Sequence, residues 1–109
     1  MAFKRAQKPT FTTLVTVNIP NDKGGFDKNT FTGVFRRIET DEREALAALS
    51  HADLVRSVLV NWDMTDDDTK EKVPFSSDEL EEALKIPPTP LATAMAFWES
   101  INGARSKNL

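Results

Sequence analysis

Apolar and polar positions alternate well from Phe11 to Ile19. Phe11, Thr13, Val15, Val17 and Ile19 fall on one side, and Thr12, Leu14, Thr16 and Asn18 on the other. A period of two with so many β-branched side chains predicts a strand. The turn-forming run PNDKGG follows. Alternation then resumes through NTFTGVFRRI, with Phe31, Gly33 and Phe35 on one face and Thr32, Val34 and Ile38 on the other. Together these segments predict an antiparallel hairpin with a longer loop. Two strands alone are marginal, so helices must cover one face.

The pattern becomes helical at Thr40, a fair N-cap followed by Asp41, Glu42 and Glu44, which suit a helix N-terminus. Ser50 and Asp53 have the spacing of a capping box, which predicts a break or kink there. Beyond it Ala52, Val55, Leu59 and Trp62 recur at three and four, predicting a core-facing helical stripe. Asp63 to Pro74 is charged and aperiodic and reads as a loop. Ser76 and Glu79 make a second capping box for a short helix bearing Leu80, Ala83 and Leu84, and IPPTP must end it. Thr89 and Pro90 then open a last helix, with Leu91, Ala94, Met95, Trp98 and Ile101 as its predicted apolar stripe. Gly103 is its predicted stop.

The expected architecture is therefore α+β: an N-terminal antiparallel β-hairpin followed by three or four short α-helices in a single domain. Residues 1–10 are expected to be a flexible basic arm, 11–104 the domain and 105–109 a flexible C-terminus. A chain of 109 residues is long enough to bury a core without staples. It contains no cysteine, which excludes disulfides, thiolate catalysis and thiolate metal sites. No apolar run approaches a membrane span, and no apolar stretch follows the basic start, so neither anchor nor signal peptide is expected. A net charge of −3 argues against nonspecific nucleic-acid binding.

Candidate chemistry is sparse. His51 is the single histidine, so no two-histidine metal site can be built, and it reads as a polar helix-start residue. Ser50 beside it cannot form a catalytic pair, because adjacent helical side chains diverge. Asp63, Asp66, Asp67 and Asp68 lack the glycine and closing glutamate of a calcium loop, and Lys70 and Lys72 compete for them. Lys23-Gly24-Gly25 lacks the spacing of a phosphate loop. Arg36 and Arg37, neighbours at a strand end, cannot form a joint clamp and read as solvated. Neither a catalytic set nor a cofactor is expected, and the chain reads as a binding module. Phe97 and Trp98 lie about 100° apart around a helix, so one of them is expected at the rim of the core. An exposed aromatic beside arginine is the composition of a binding hot spot. This makes Phe97, Trp98, Ile101, Arg105 and Arg37 the candidate partner-binding residues.

The order of segments is more specific than any one of them. FTGVFRRI, an acidic helix start, VLVNW, an acidic loop closing on VPFS, LEEALKIP and AFWESINGARSKN follow one another between about Thr13 and Asn108. In this order the chain resembles the small tail assembly chaperones of long-tailed bacteriophages and prophages. It departs from them in having Asn61 where relatives tend to have glycine, and in lacking a glycine turn in the acidic loop. The resemblance implies a non-catalytic, cytoplasmic protein that binds the helical tape measure protein, needs no nucleotide and is absent from the mature virion. It also implies a longer, frameshifted form that recruits the tail tube protein. Ser106-Lys107-Asn108 can be encoded TCA-AAA-AAC, which contains the slippery run A-AAA-AAC. Competing readings are a structural tail or head–tail connector protein of the same gene cluster, or a small DNA-binding regulator using Arg5, Lys8, Arg36 and Arg37.

Overall fold

The structure, a computed structural model, describes residues 2–103. Strands β1 (Thr10–Pro20) and β2 (Phe26–Arg36) form the predicted hairpin, in a register that opposes Val15 to Phe31 and Thr13 to Gly33. Asn21 closes the turn: its Oδ1 accepts from the backbone N–H groups of Lys23 and Gly25, both at 3.0 Å. Gly24 takes a φ of +84°, which its missing Cβ permits. A 3₁₀ turn (Thr40–Glu42) leads into α1 (Arg43–Ala47) and α2 (His51–Val58). Glu39, rather than Thr40, is the cap of that turn, in a box with Glu42.

The helical stripe expected through Trp62 is corrected here. Helix α2 ends at Val58, and Leu59–Asp63 form β3, which adds to β2 and makes an antiparallel sheet of order β1-β2-β3. Leu59 and Trp62 are both buried, yet they are three apart, and a regular strand would send them to opposite faces. A bulge reconciles the two facts. Phe35 pairs with Leu59 and Val34 with Asn61, so Val60 is the extra residue and turns outward. A bulged strand thus imitates helical spacing.

After β3 the chain makes an acidic excursion that is tied back at several points. Thr65 bridges Lys72, and the Val73 N–H donates to the Met64 carbonyl at 2.9 Å. Asp66 Oδ1 accepts from the N–H groups of Asp68 and Thr69. Lys70 supplies the left-handed residue, at φ +63°, that a glycine would ordinarily provide. Helices α3 (Ser77–Leu84) and α4 (Pro88–Ile101) follow. The Ser50 and Ser76 hydroxyls cap α2 and α3 as expected, each accepting from the N–H three residues on at 3.1 Å. Helix α4 starts earlier than expected, at Pro88 with Pro87 as cap, and Thr89 is buried inside its first turn. Its end is as expected: Gly103 follows the cap residue Asn102 at φ +73°.

The core lies between the inner face of the sheet and α2, α3 and α4. Val15, Phe31, Phe35, Leu54, Val55, Val58 and Phe97 are among its buried members. Phe11, Phe35 and Phe97 form a ring cluster with centroids 5.5 to 6.0 Å apart. Trp62 forms a second cluster with Phe31 and Phe75, both edge-on.

Candidate partner-binding surfaces

Helix α4 carries most of the residues singled out in the sequence, but it is rotated relative to the predicted stripe. Thr89, Thr93, Ala94, Ala96 and Phe97 are buried, whereas Leu91 and Met95 are 50% and 47% exposed. The reason is compositional. Glu99 is the single charged residue in α4, so the helix is apolar nearly all round and its periodicity does not select an inward side. What selects it is the fit of the Phe97 ring against Phe11 and Phe35.

Phe97 is therefore corrected from candidate contact to core: it is fully buried and cannot meet a partner in this fold. Trp98, placed in the inward stripe by the sequence pattern, is instead the residue at the rim, half-buried, with its ring 5.2 Å from that of Phe97. The Arg43 guanidinium lies over the Trp98 ring at 5.6 Å and donates to Asn102 Oδ1. Leu91, Met95 and Trp98 follow one another at i, i+4 and i+7, so they form one ridge along α4.

Arg37 and Ile101 meet at the C-terminal end of α4. Both line an open groove of about 470 Å³ shared with Phe11, Ile38 and Ser100. Arg37 lies over the Phe11 ring at 5.5 Å, and its Nε donates to the Lys8 carbonyl at 2.7 Å. The Arg37 N–H donates to Pro9, which ties the end of the basic arm to the sheet. Arg105 and the Ser106–Asn108 run lie outside the described residues. Arg36 is corrected from a solvated strand end to a staple. Its Nη1 meets Glu42 at 3.0 Å, while Nε and Nη2 donate to the Ser57 carbonyl and hydroxyl. The Glu39 N–H, followed by this arginine, holds the Glu42 carboxyl below the usual glutamate range.

A surface that sequence reasoning missed lies at the opposite end of the hairpin. Val17, Ile19 and Phe31 on the sheet, Met64 and Val73 on the acidic excursion, and Ile86 at the α3–α4 corner line a cleft of about 240 Å³. The sequence holds a signal for it only in retrospect: Ile86 is an aliphatic residue placed where a helix must stop.

His51 is exposed on the first turn of α2, and the Ser50 hydroxyl is occupied as a cap. Among the described residues no group of three or more His, Cys, Asp or Glu could hold a metal ion, and no helix is long and apolar enough to cross a membrane. Two carboxylates, Asp53 and Glu81, converge on Arg56, with Glu81 meeting it in a bidentate pair at 2.7 and 2.9 Å that joins α2 to α3. The Arg56 hydrogen bond lowers the Glu81 pKa, and those carboxylates raise that of Arg56. This is a structural pair.

The chain matched no protein-family model, and searches of curated proteins and of solved structures returned no match.

Proposed function

We propose that this protein is a tail assembly chaperone of a long-tailed phage or prophage, a non-catalytic binder of the helical tape measure protein. The observation that carries the reading is the ridge of Leu91, Met95 and Trp98 on a helix with one charged residue. A client helix docks on such a ridge through its own apolar residues at i, i+3, i+4 and i+7. The ridge is narrow, which keeps affinity modest and release possible without nucleotide. The order of segments in the sequence supports the same reading. In this role the protein works in the host cytoplasm, a frameshifted longer form recruits the tail tube protein, and neither form stays in the virion.

Co-expression with the tape measure protein tests it. The wild-type chain is expected to keep the client soluble and to co-purify with it. The double variant Leu91→Ser/Met95→Ser, altered only at exposed positions, is expected to lose both effects while keeping its helical circular dichroism. A wild-type chain that neither solubilises nor co-purifies with the client sinks the proposal. Detection of the protein in purified virions by mass spectrometry would instead favour a tail or connector component.

A further inference from the structure

The cleft at the far end of the hairpin differs from the α4 ridge in place and in charge. Thr89 lines the cleft, and Leu91 is about 200° further round the same helix, so the two surfaces face opposite ways. The cleft floor is apolar: Val17 and Phe31 are buried, Ile19, Met64 and Val73 half-buried, and Ile86 is exposed at its edge. At about 240 Å³ it is smaller than the roughly 300–1,000 Å³ of small-molecule sites, and so is sized for one or two side chains of a polypeptide.

The surroundings of the floor decide the sign of the occupant. Asp66 and Asp67 are the charged residues that line the cleft itself. Three hollows adjoin it: one holds Asp27 and Asp68 with Lys28, one holds Glu79 and Glu82 with Lys85, and one holds Asp63 with Lys28, Lys70 and Lys72. Lys85 is already paired with Glu82 at 2.9 Å and Lys72 with Asp63 at 2.6 Å, and Lys70 reaches Asp67 at 3.3 Å in a solvent-exposed pair worth little. The carboxylates therefore outnumber the available cations around an uncharged floor. Burying an apolar anchor there brings its neighbours against this rim, where acidic flanks are repelled and basic flanks attracted.

We infer that this cleft is a second docking site, for a partner protein segment presenting one or two apolar anchor side chains flanked by lysine or arginine. The site is independent of the α4 ridge and of the client assigned to it.

Two synthetic peptides of about 12–15 residues test it, identical in their Leu and Phe anchors at i and i+4. One is flanked by lysine and arginine, the other by glutamate. Each is titrated into the isotope-labelled full-length chain and followed by amide shifts. The basic peptide is expected to move the amides of Val17, Phe31, Met64 and Ile86 and to bind at least about tenfold tighter than the acidic one. Added salt weakens that binding. Asp67→Asn/Asp68→Asn, at exposed positions, weakens the basic peptide about threefold or more and does not weaken the acidic one, whose repulsion by the rim it relieves. Ile86→Ser weakens both. Equal affinity for the two peptides, shifts confined to Leu91 and Met95, or no binding of either at about millimolar concentration overturns the inference. None of these outcomes depends on the tape measure client, so the chaperone reading stands or falls separately.

Discussion

The Trp62 indole Nε1 donates to the Val73 carbonyl at 2.7 Å. With this bond a strand in the sheet holds the returning limb of the acidic excursion, and the same ring packs edge-on against Phe75 just beyond. The apolar cleft depends on that closure, because Met64 and Val73 form its wall. Trp62→Phe keeps most of the ring but removes the donor. It is expected to cost about 1–3 kcal/mol, and hydrogen exchange at the Val73 amide should accelerate more than exchange in α2.

Gly33 is required by its neighbour. A Cβ at this position would stand 2.9 Å from the Phe35 ring and 3.2 Å from Leu59. Phe35 is fully buried in the ring cluster and has no room to yield. Gly33→Ala is therefore expected to destabilise by about 1–3 kcal/mol through overpacking, read as a lower midpoint in urea denaturation.

Thr93 is buried on α4, and among the described residues its hydroxyl has no hydrogen-bond partner. Valine has the same shape without that group. Thr93→Val is expected to stabilise by about 1 kcal/mol, seen as a rise in Tm.

Lys70 holds a left-handed conformation with an exposed side chain. Lys70→Gly relieves about 1–2 kcal/mol of steric cost and gives part of it back as unfolded-chain entropy. The net expectation is a gain of up to about 1 kcal/mol in thermal unfolding, with the sheet unchanged.

Acid sensitivity follows from three carboxylates. Backbone donors hold Asp66 below its ordinary value of 3.8, and a backbone donor or arginine holds Glu42 and Glu81 below 4.5. Between those ordinary values and the lower folded ones, the unfolded chain binds more protons, so stability rises with pH. The contribution is complete above the ordinary values and is lost as pH falls through the folded ones. Tm measured from neutral pH downward should drop through this window, and Glu81→Gln should flatten part of the drop.

Much of the fold was legible because the responsible interactions are local. Alternation in Phe11–Ile19 and Phe31–Phe35 marks the inner face of the hairpin, and the buried set Val15, Val17, Phe31, Phe35 follows it. Ser50, Ser76 and Gly103 act through bonds and dihedrals within a few residues, and they cap and stop helices where their types predict. Val55, Leu59 and Trp62 were legible as core residues, but Leu59 and Trp62 were not legible as strand. Spacing alone does not separate a helical turn from a bulged strand, and the β2 edge against which Val60 bulges lies more than twenty residues earlier in the chain.

The candidate site was less legible for the same reason. A helix with apolar residues on every side carries no preference for its own rotation, so Phe97 points inward and Leu91 and Met95 outward because of rings supplied by β1 and β2. Arg36 looked solvated until folding brought Ser57 and Glu42 to its guanidinium. The acidic cleft draws its walls from the hairpin, the excursion and the α3–α4 corner, segments up to about seventy residues apart, and no local pattern encodes their meeting. Local chemistry in the chain decided which elements form and where they stop. Packing between distant elements decided which faces remain for partners, because only the assembled core settles which apolar side chains it has room to bury.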